Sequence, residues 1–422
     1  MPNETNNTPS TGALKVSVTV AGEQRPIAGA TVTISSLDTP GTILETLTTN
    51  SSGQAPIVNL PAPSVALSLD PQDNIDNPTD NIIPYARYLV RVTATGFETV
   101  EIRGTEVLGN VLSLQAVAMQ PATAGPEEII NIPDHTLYGN YPPKIPEPEI
   151  KPITDSGEIV LNRVVIPEFI IVHDGLPDDT SAPNYYVRYK DYIKNVASSE
   201  IYPTWPESAI YANILAIMSF TLNRVYTEFY FNRGYNFTIT SSTAYDQKWI
   251  MGRNVFDNIS YLVDSVFNNY LARPGVIQPI FTSYCDGQRT TCRGLSQWGS
   301  QQLGEEGYST INILRYYYGN DIYINSAEFI SGVPFSWPGY TLGIGSAGDS
   351  VRQVQTQINR IARNYPALPT VTIDGIYGEA TADAIRTFQG IFNLPVTGTV
   401  DAATWYELSE IYVGVSRIAE PM

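Results

Sequence analysis

Eight prolines fall between residues 121 and 152, most of them in "YPPKIPEPEIKP". Proline has no amide hydrogen and a fixed φ, so this stretch cannot form a helix interior or a central strand. It reads as an extended, acidic, exposed linker over 121–157 that divides the chain into unlike parts. An exposed extended segment is what a protease needs, so activation cleavage is expected there, alongside the plainer role of a spacer. With 422 residues the chain has room for two to four domains around such a linker.

Before the linker, residues 11–120 read as β. "ALKVSVTV" places Leu14, Val16, Val18 and Val20 on one face, and "GATVTI" and "YLVRVTA" repeat the alternation between turn-forming clusters. Short strands with frequent turns predict a small β-sandwich. After the linker, 158–335 mixes helices and strands without regular βαβ alternation, which predicts an α+β domain. "VRYKDYIKNVASSE" sets Tyr189, Ile193, Val196 and Glu200 on one helical face. Pro203 and Pro206 stop that helix, and Pro206 with Glu207 starts an apolar one. From about residue 235 onward the text reads mainly as short β-like runs, with a last helix at "INILRYYYG". A Gly/Ser/Pro-rich passage then leads to three amphipathic helices, a compact unit over 343–415. The expected fold class is therefore multidomain α+β, with an N-terminal β-sandwich, a central α+β domain and a C-terminal three-helix domain.

Charge narrows the function. A formal net charge of −18 disfavours nucleic acid and anionic membranes as partners. No run of apolar residues is long enough to span a bilayer. The start "MPNETNNTPSTG" lacks a basic and an apolar region, so no signal peptide is expected in this chain. The 27 tyrosines suit carbohydrate stacking, but they also fill sheets. Two cysteines, Cys285 and Cys292, and two distant histidines, His135 and His173, make no familiar zinc spacing, so no metal or cofactor is expected. The cysteines fit either a local disulfide or two free thiols. No nucleophile elbow or phosphate loop is present.

Glu200 is the residue best placed for acid chemistry. A carboxyl continuing an apolar seam near Trp205 is pushed toward its neutral form, and a neutral carboxyl near pH 7 is a proton donor. The alternative is a helix-terminal acid that curls into water. "FTSYCDGQRTTCRGLSQWG" offers Ser283, Tyr284, Gln297 and Trp298 around Gly287 and Gly294, the hydroxyl, amide and indole groups of a sugar groove, or else an ordinary hairpin with an anchored Trp. Asp246 in "STAYDQKWIMG" is a possible second acid or a turn cap.

The ordered run of "DYIKNVASSEIYPTWPESAIYANILAIMSFTLNR", "YNFTITSSTAYDQKWIMG" and "GLSQWGSQQLGEEGYSTINILRYYYGNDI" resembles the stage II sporulation protein D domain over about 160 residues. That resemblance implies a lytic transglycosylase of peptidoglycan with Glu200 as the catalytic acid. It further implies Ser283, Tyr284, Gln297, Trp298, Trp205 and Asp246 as substrate-binding candidates. Some relatives hold a metal in the region of Cys285, but the histidines that would share it are missing here. "DGIYGEATADAIRTFQGIFNLPVTGTVDAATWYEL" resembles a type 1 peptidoglycan-binding domain and carries Asp374, Tyr377, Phe388, Gln389 and Trp405 at its signature positions. "RPIAGATVTI" and "YLVRVTATGFETV" resemble carboxypeptidase-regulatory or transthyretin-like sandwiches. The domain order resembles spore cortex-lytic enzymes of the SleC type. It implies a zymogen acting on cortex glycan strands in germination, a subtilisin-like activating protease and a location in the cortex or coat region. The rival expectation is a non-catalytic glycan-binding wall protein that recruits or activates an amidase.

Overall fold

The structure is a computed structural model that describes residues 10–69, 83–122, 127–134, 137, 142–151, 163–288 and 290–416; His135 lies outside the described residues. The N-terminal part is a two-sheet sandwich. Its strands are β1 (Ser10–Val20), β2 (Thr31–Ser36), β3 (Ile43–Thr48), β4 (Val58–Ala62), β5 (Ala86–Thr93), β6 (Val100–Val107), β7 (Leu112–Met119) and β8 (Glu128–Asn131). One sheet runs β3-β2-β5-β6-β8 and the other contains β7-β1-β4. The alternating Leu14, Val16, Val18 and Val20 meet Val32, Ile34, Val90, Val92 and Ile102 in one apolar core. Alternation of side chains across a strand is what sorts them inward.

The boundary between sandwich and linker differs from expectation. β8 lies inside the stretch read as linker and pairs in parallel with β6. The sandwich also takes in a strand from the central region. After β9 (Val165–Ile166), β10 (Phe169–His173), β11 (Asn184–Arg188) and β12 (Ile239–Thr240), β13 (Val255–Phe256) pairs antiparallel with β7. Beside this pairing the Asn254 side chain bonds the Glu106 amide at 2.9 Å and the Glu106 carbonyl at 3.0 Å. Arg253 meets the Glu106 carboxylate at 2.7 Å, and both side chains are buried.

The central region is organised by helices α1 (Tyr189–Glu200) and α2 (Glu207–Tyr226), followed by α3 (Asp257–Val266), α4 (Gln297–Glu305) and α5 (Thr310–Tyr318). The seam expected on α1 is an understatement: from Asn195 to Glu200 every residue is buried. α2 is buried nearly all round, as its apolar circumference predicts. Two helices, α3 and α4, stand where β-like text was expected. In α4 the helix-weakening Gly299 and Gly304 hide the signal. A Cβ at Gly304 would sit 3.0 Å from Pro206 and 3.2 Å from Ala209, so glycine there lets α4 approach α2 closely.

The C-terminal unit has the three expected helices, α6 (Asp349–Ile361), α7 (Glu379–Ile391) and α8 (Ala402–Ser416). It is joined firmly to the central region. Lys190 of α1 contacts Glu407, Glu410 at 3.0 Å and Asp264 at 3.4 Å, while Lys194 meets Asp264 at 2.8 Å. Phe267 packs edge-on against Tyr406 with centroids 5.0 Å apart. No described helix is long and apolar enough to cross a membrane.

The proline-rich segment 142–151 is extended, as proline dictates, but it is not a free spacer. The Ile145 amide donates to the Ala244 carbonyl at 2.9 Å, and the Phe281 amide to the Glu149 carbonyl at 2.7 Å. The segment is a strap laid across the central region.

Candidate active site

Glu200 is the last residue of α1, where Pro203 forbids continuation and the chain turns at Ile201 into extended backbone. It is only 7% exposed and lines a cleft together with Lys144, Lys248, Tyr284 and Gln297. Its Oε1 accepts the Lys248 amide at 2.7 Å. Its Oε2 is buried and makes no hydrogen bond of ordinary geometry, although the Tyr284 hydroxyl lies close enough to the carboxyl to favour its charged form. Burial raises the Glu200 pKa above the ordinary carboxylate range, against the pull of the Lys144 ammonium, the Lys248 amide and the Tyr284 hydroxyl. One oxygen is thus anchored on a backbone amide, and the carboxyl sits beside the Tyr284 hydroxyl.

The loop that supplies the Lys248 amide is clamped to α1 and α2. Asn195 bonds Ile250 twice, donating to its carbonyl at 2.7 Å and accepting from its amide at 2.9 Å. Gln247 accepts from Tyr192 at 2.9 Å and from Thr221 at 2.8 Å. These groups hold the amide aimed at Glu200. Burial, with the nearby Arg253 charge, lowers the Lys248 side chain to about 8.

Across the cleft, Tyr284 and Cys285 pair with Leu295 and Ser296 in parallel. Cys285 and Cys292 are joined as a disulfide, which takes both sulfurs out of play as metal ligands. Among the described residues no group of three His, Cys, Asp or Glu could hold a metal ion. Gly287 and Gly294 allow this turn to close. A Cβ on Gly287 would lie 1.8 Å from the Ser296 hydroxyl, and one on Gly294 would lie 1.9 Å from the Ser283 carbonyl. Burial and the Glu200 charge push the Tyr284 hydroxyl well above its usual value, so it stays protonated.

The residues singled out from sequence divide into two groups. Glu200, Tyr284 and Gln297 line the cleft together. The others do not. Trp205 and Trp298 pack against each other at 5.0 Å in the core behind it, and the Trp205 indole donates to the Ser68 carbonyl of the sandwich at 3.0 Å. Ser283 contributes its carbonyl to Leu295 and Tyr318 rather than a hydroxyl to the cleft. Asp246, expected to bind substrate, is fully buried. Its Oδ1 is held by Arg224 at 2.6 Å, and its Oδ2 by Tyr230, Thr240 and the Thr240 amide. A carboxylate so committed is a framework ion pair, not a substrate ligand.

Sequence reasoning missed Lys144, Ser199, Thr243, Lys248, Asp286 and Thr290, which line the same cleft. The "CDG" turn was a signal for Asp286, whose Oδ1 accepts the Gln288 and Thr290 amides at 2.7 and 3.0 Å. Lys144 comes from the strap and had no local signal.

In the C-terminal unit the signature residues build the fold. Tyr377, Phe388, Gln389 and Trp405 are buried. Gln389 ties the 397–399 turn, accepting the Thr397 and Gly398 amides at 2.9 Å each. The Trp405 indole reaches the Phe335 carbonyl at 3.1 Å. Asp374 is exposed, yet its Oδ1 accepts the Ile376 amide at 2.8 Å as a turn cap.

Residues 347–408 match the family described as "Putative peptidoglycan binding domain". The match falls on α6, α7 and the first part of α8. A zinc D-Ala-D-Ala carboxypeptidase from Streptomyces albus G is 33% identical over 78 residues, which cover 18% of this chain and 29% of that enzyme. The chain therefore spans less than a third of this curated relative. Among solved structures, the SleB N-terminal domain is 28% identical, covering 18% of this chain and 99% of its own, at a TM-score of 0.16. The Bacillus anthracis TIE protein is 15% identical, covering 27% of this chain and 17% of its own, at a TM-score of 0.18.

Proposed function

We propose that this chain is a peptidoglycan-cutting enzyme, a lytic transglycosylase in which Glu200 is the sole proton shuttle. The observation that carries this reading is a buried carboxyl lining the cleft, with Oε1 anchored on the Lys248 amide, no hydrogen bond of ordinary geometry on Oε2, and a pKa raised by burial. The protonated carboxyl donates to the glycosidic oxygen between N-acetylmuramic acid and N-acetylglucosamine, and the bond to the muramic C1 breaks. The resulting carboxylate takes the proton of the muramic 6-hydroxyl as that oxygen attacks C1, which closes a 1,6-anhydro ring. Proton and electron pairs balance with no water and no second acid, unlike the two-carboxylate hydrolases. Asp286 also lines the cleft, but its Oδ1 is committed to the turn it caps. Tyr284 and Gln297 are positioned to hydrogen-bond the sugar.

The match over 347–408 supports peptidoglycan as the polymer, held by the C-terminal unit while the cleft cuts. The resemblance to cortex-lytic enzymes supports spore cortex as the source, germination as the occasion and a protease-activated zymogen as the form. The test is digestion of cortex peptidoglycan by the full chain and by protein trimmed with a subtilisin-like protease, with products read by mass spectrometry. Anhydro-muramic ends from trimmed protein, reduced about 10²–10⁴-fold in Glu200→Gln, are the expected result. Reducing muramic ends would replace the transglycosylase with a hydrolase. Binding without new ends would replace it with the glycan-binding wall protein.

A further inference from the structure

The strap 142–151 is built the wrong way round for a spacer. Its charged Lys144, Glu147, Glu149 and Lys151 turn toward the protein, while Ile145 and Ile150 are 45% and 39% exposed. Turning charge inward is costly unless the receiving surface is matched to it. Here it is matched group by group. Glu147 lies between Arg224, at 2.6 Å, and Lys151, at 2.9 Å. Glu149 is paired by Arg273, and the Lys151 ammonium sits 3.6 Å from the Phe281 ring centroid. Lys144 goes deepest: its ammonium donates to the Asp246 carbonyl and lies 4.4 Å from the Tyr284 and 4.9 Å from the Phe220 ring centroids. It lines the same cleft as Glu200, Lys248 and Gln297.

We propose that the strap is a tethered occupant of the Glu200 cleft, with the Lys144 side chain standing where a glycan must enter. The proposal rests on the reading of this cleft as the glycan site. It places inhibition in a ten-residue extended segment rather than in the sandwich. The segment is held by backbone bonds to Ala244 near one end and Phe281 near the other, and its Pro142 and Lys144 line the cleft. Freeing the cleft requires lifting Lys144 and breaking the two acid–arginine clamps. The sandwich remains held by its own contacts through β13 and Arg253.

The test uses the full chain in two backgrounds. In Glu200→Gln, binding of a soluble tetrasaccharide of alternating N-acetylglucosamine and N-acetylmuramic acid is measured by calorimetry. With Glu200 intact, cutting of cortex peptidoglycan is measured. Lys144→Ala is compared with Glu149→Ala, which loosens the strap from a half-exposed position outside the cleft. Occlusion scales apparent affinity by the open fraction, so each variant should bind at least about tenfold tighter than its parent and cut correspondingly faster. Tighter binding without cutting would uphold the strap and overturn Glu200 as the acid. Unchanged binding beside Glu200-dependent cutting by the untrimmed chain would overturn the strap and leave the enzyme reading standing. Neither binding nor cutting in any form, trimmed protein included, would overturn both.

Discussion

Arg253 and Glu106 offer a quantitative test of how the sandwich is attached. Their side chains are 0% and 1% exposed and meet at 2.7 Å, and Arg253 also reaches the Ser199 hydroxyl at 3.2 Å, one residue before Glu200. Arg253→Met leaves a carboxylate facing a buried space without its cation. Removing one member of a buried pair costs about 3–5 kcal/mol, because the survivor has lost both water and partner. Replacing both, Glu106→Leu with Arg253→Met, removes the unpaired charge and costs far less. For a cooperative folding unit of about 150–250 residues the single change should lower the melting midpoint by roughly 6–20 °C. Calorimetry of wild type, both single variants and the double variant closes the cycle, and the coupling is the departure from additivity. A single-variant loss below about 1 kcal/mol, or a double variant that simply sums the two losses, would refute the claim that this pair is a buried, coupled weld.

Further outcomes are expected. After proteolytic cutting of the strap, the sandwich should co-elute with the rest of the chain on gel filtration, because β13 and the Glu106–Arg253 pair do not depend on it; separation of the fragments would contradict this. Under the reading proposed above, with Glu200 as proton donor, activity of the trimmed protein should be flat at lower pH and fall as pH rises through a pKa above the ordinary carboxylate range, with no such limb in the residual activity of Glu200→Gln. The same carboxyl binds its proton more tightly folded than unfolded, so its share of stability is complete below the unfolded pKa and is lost as pH rises through the folded one; pH-dependent melts of wild type against Glu200→Gln read it. Replacing Cys285 and Cys292 by serine opens a short loop and should cost about 2–3 kcal/mol by urea unfolding. Trp405→Ala empties a site that is 1% exposed and should cost about 3–5 kcal/mol, abolishing retention on insoluble peptidoglycan.

What could be read from sequence followed local rules. The alternation of Leu14 to Val20, the proline stop after Glu200 and the periodicities of α6 to α8 are properties of neighbouring residues, and they predicted the right elements. α4 escaped because its glycines serve packing on α2, a partner some ninety residues earlier. The strap was read as exposed because acidic, proline-rich text usually is. Nothing near Glu147 in sequence announces that Arg224 waits for it. For the same reason Asp246 looked available: its partners Arg224, Tyr230 and Thr240 come together only in the fold. The Lys248 amide that orients Glu200 is a backbone group and has no residue signature at all.

The cluster of Lys190, Lys194, Asp264, Glu407 and Glu410 has a consequence for reach. A catalytic unit on a flexible leash samples a radius that grows with the square root of leash length, so it can trim many bonds around one anchor point. Here the two units share buried charge pairs and an edge-on Phe267–Tyr406 contact, so there is no leash. Under the reading proposed above, the spacing between the held part of a glycan strand and the bond cut is set by the protein as a fixed gauge. A strand too short to span both units gains nothing from the C-terminal one, since a rigid pair of sites rewards only ligands that fit both at once. Product lengths should therefore fall off sharply at one value rather than drift downward with time.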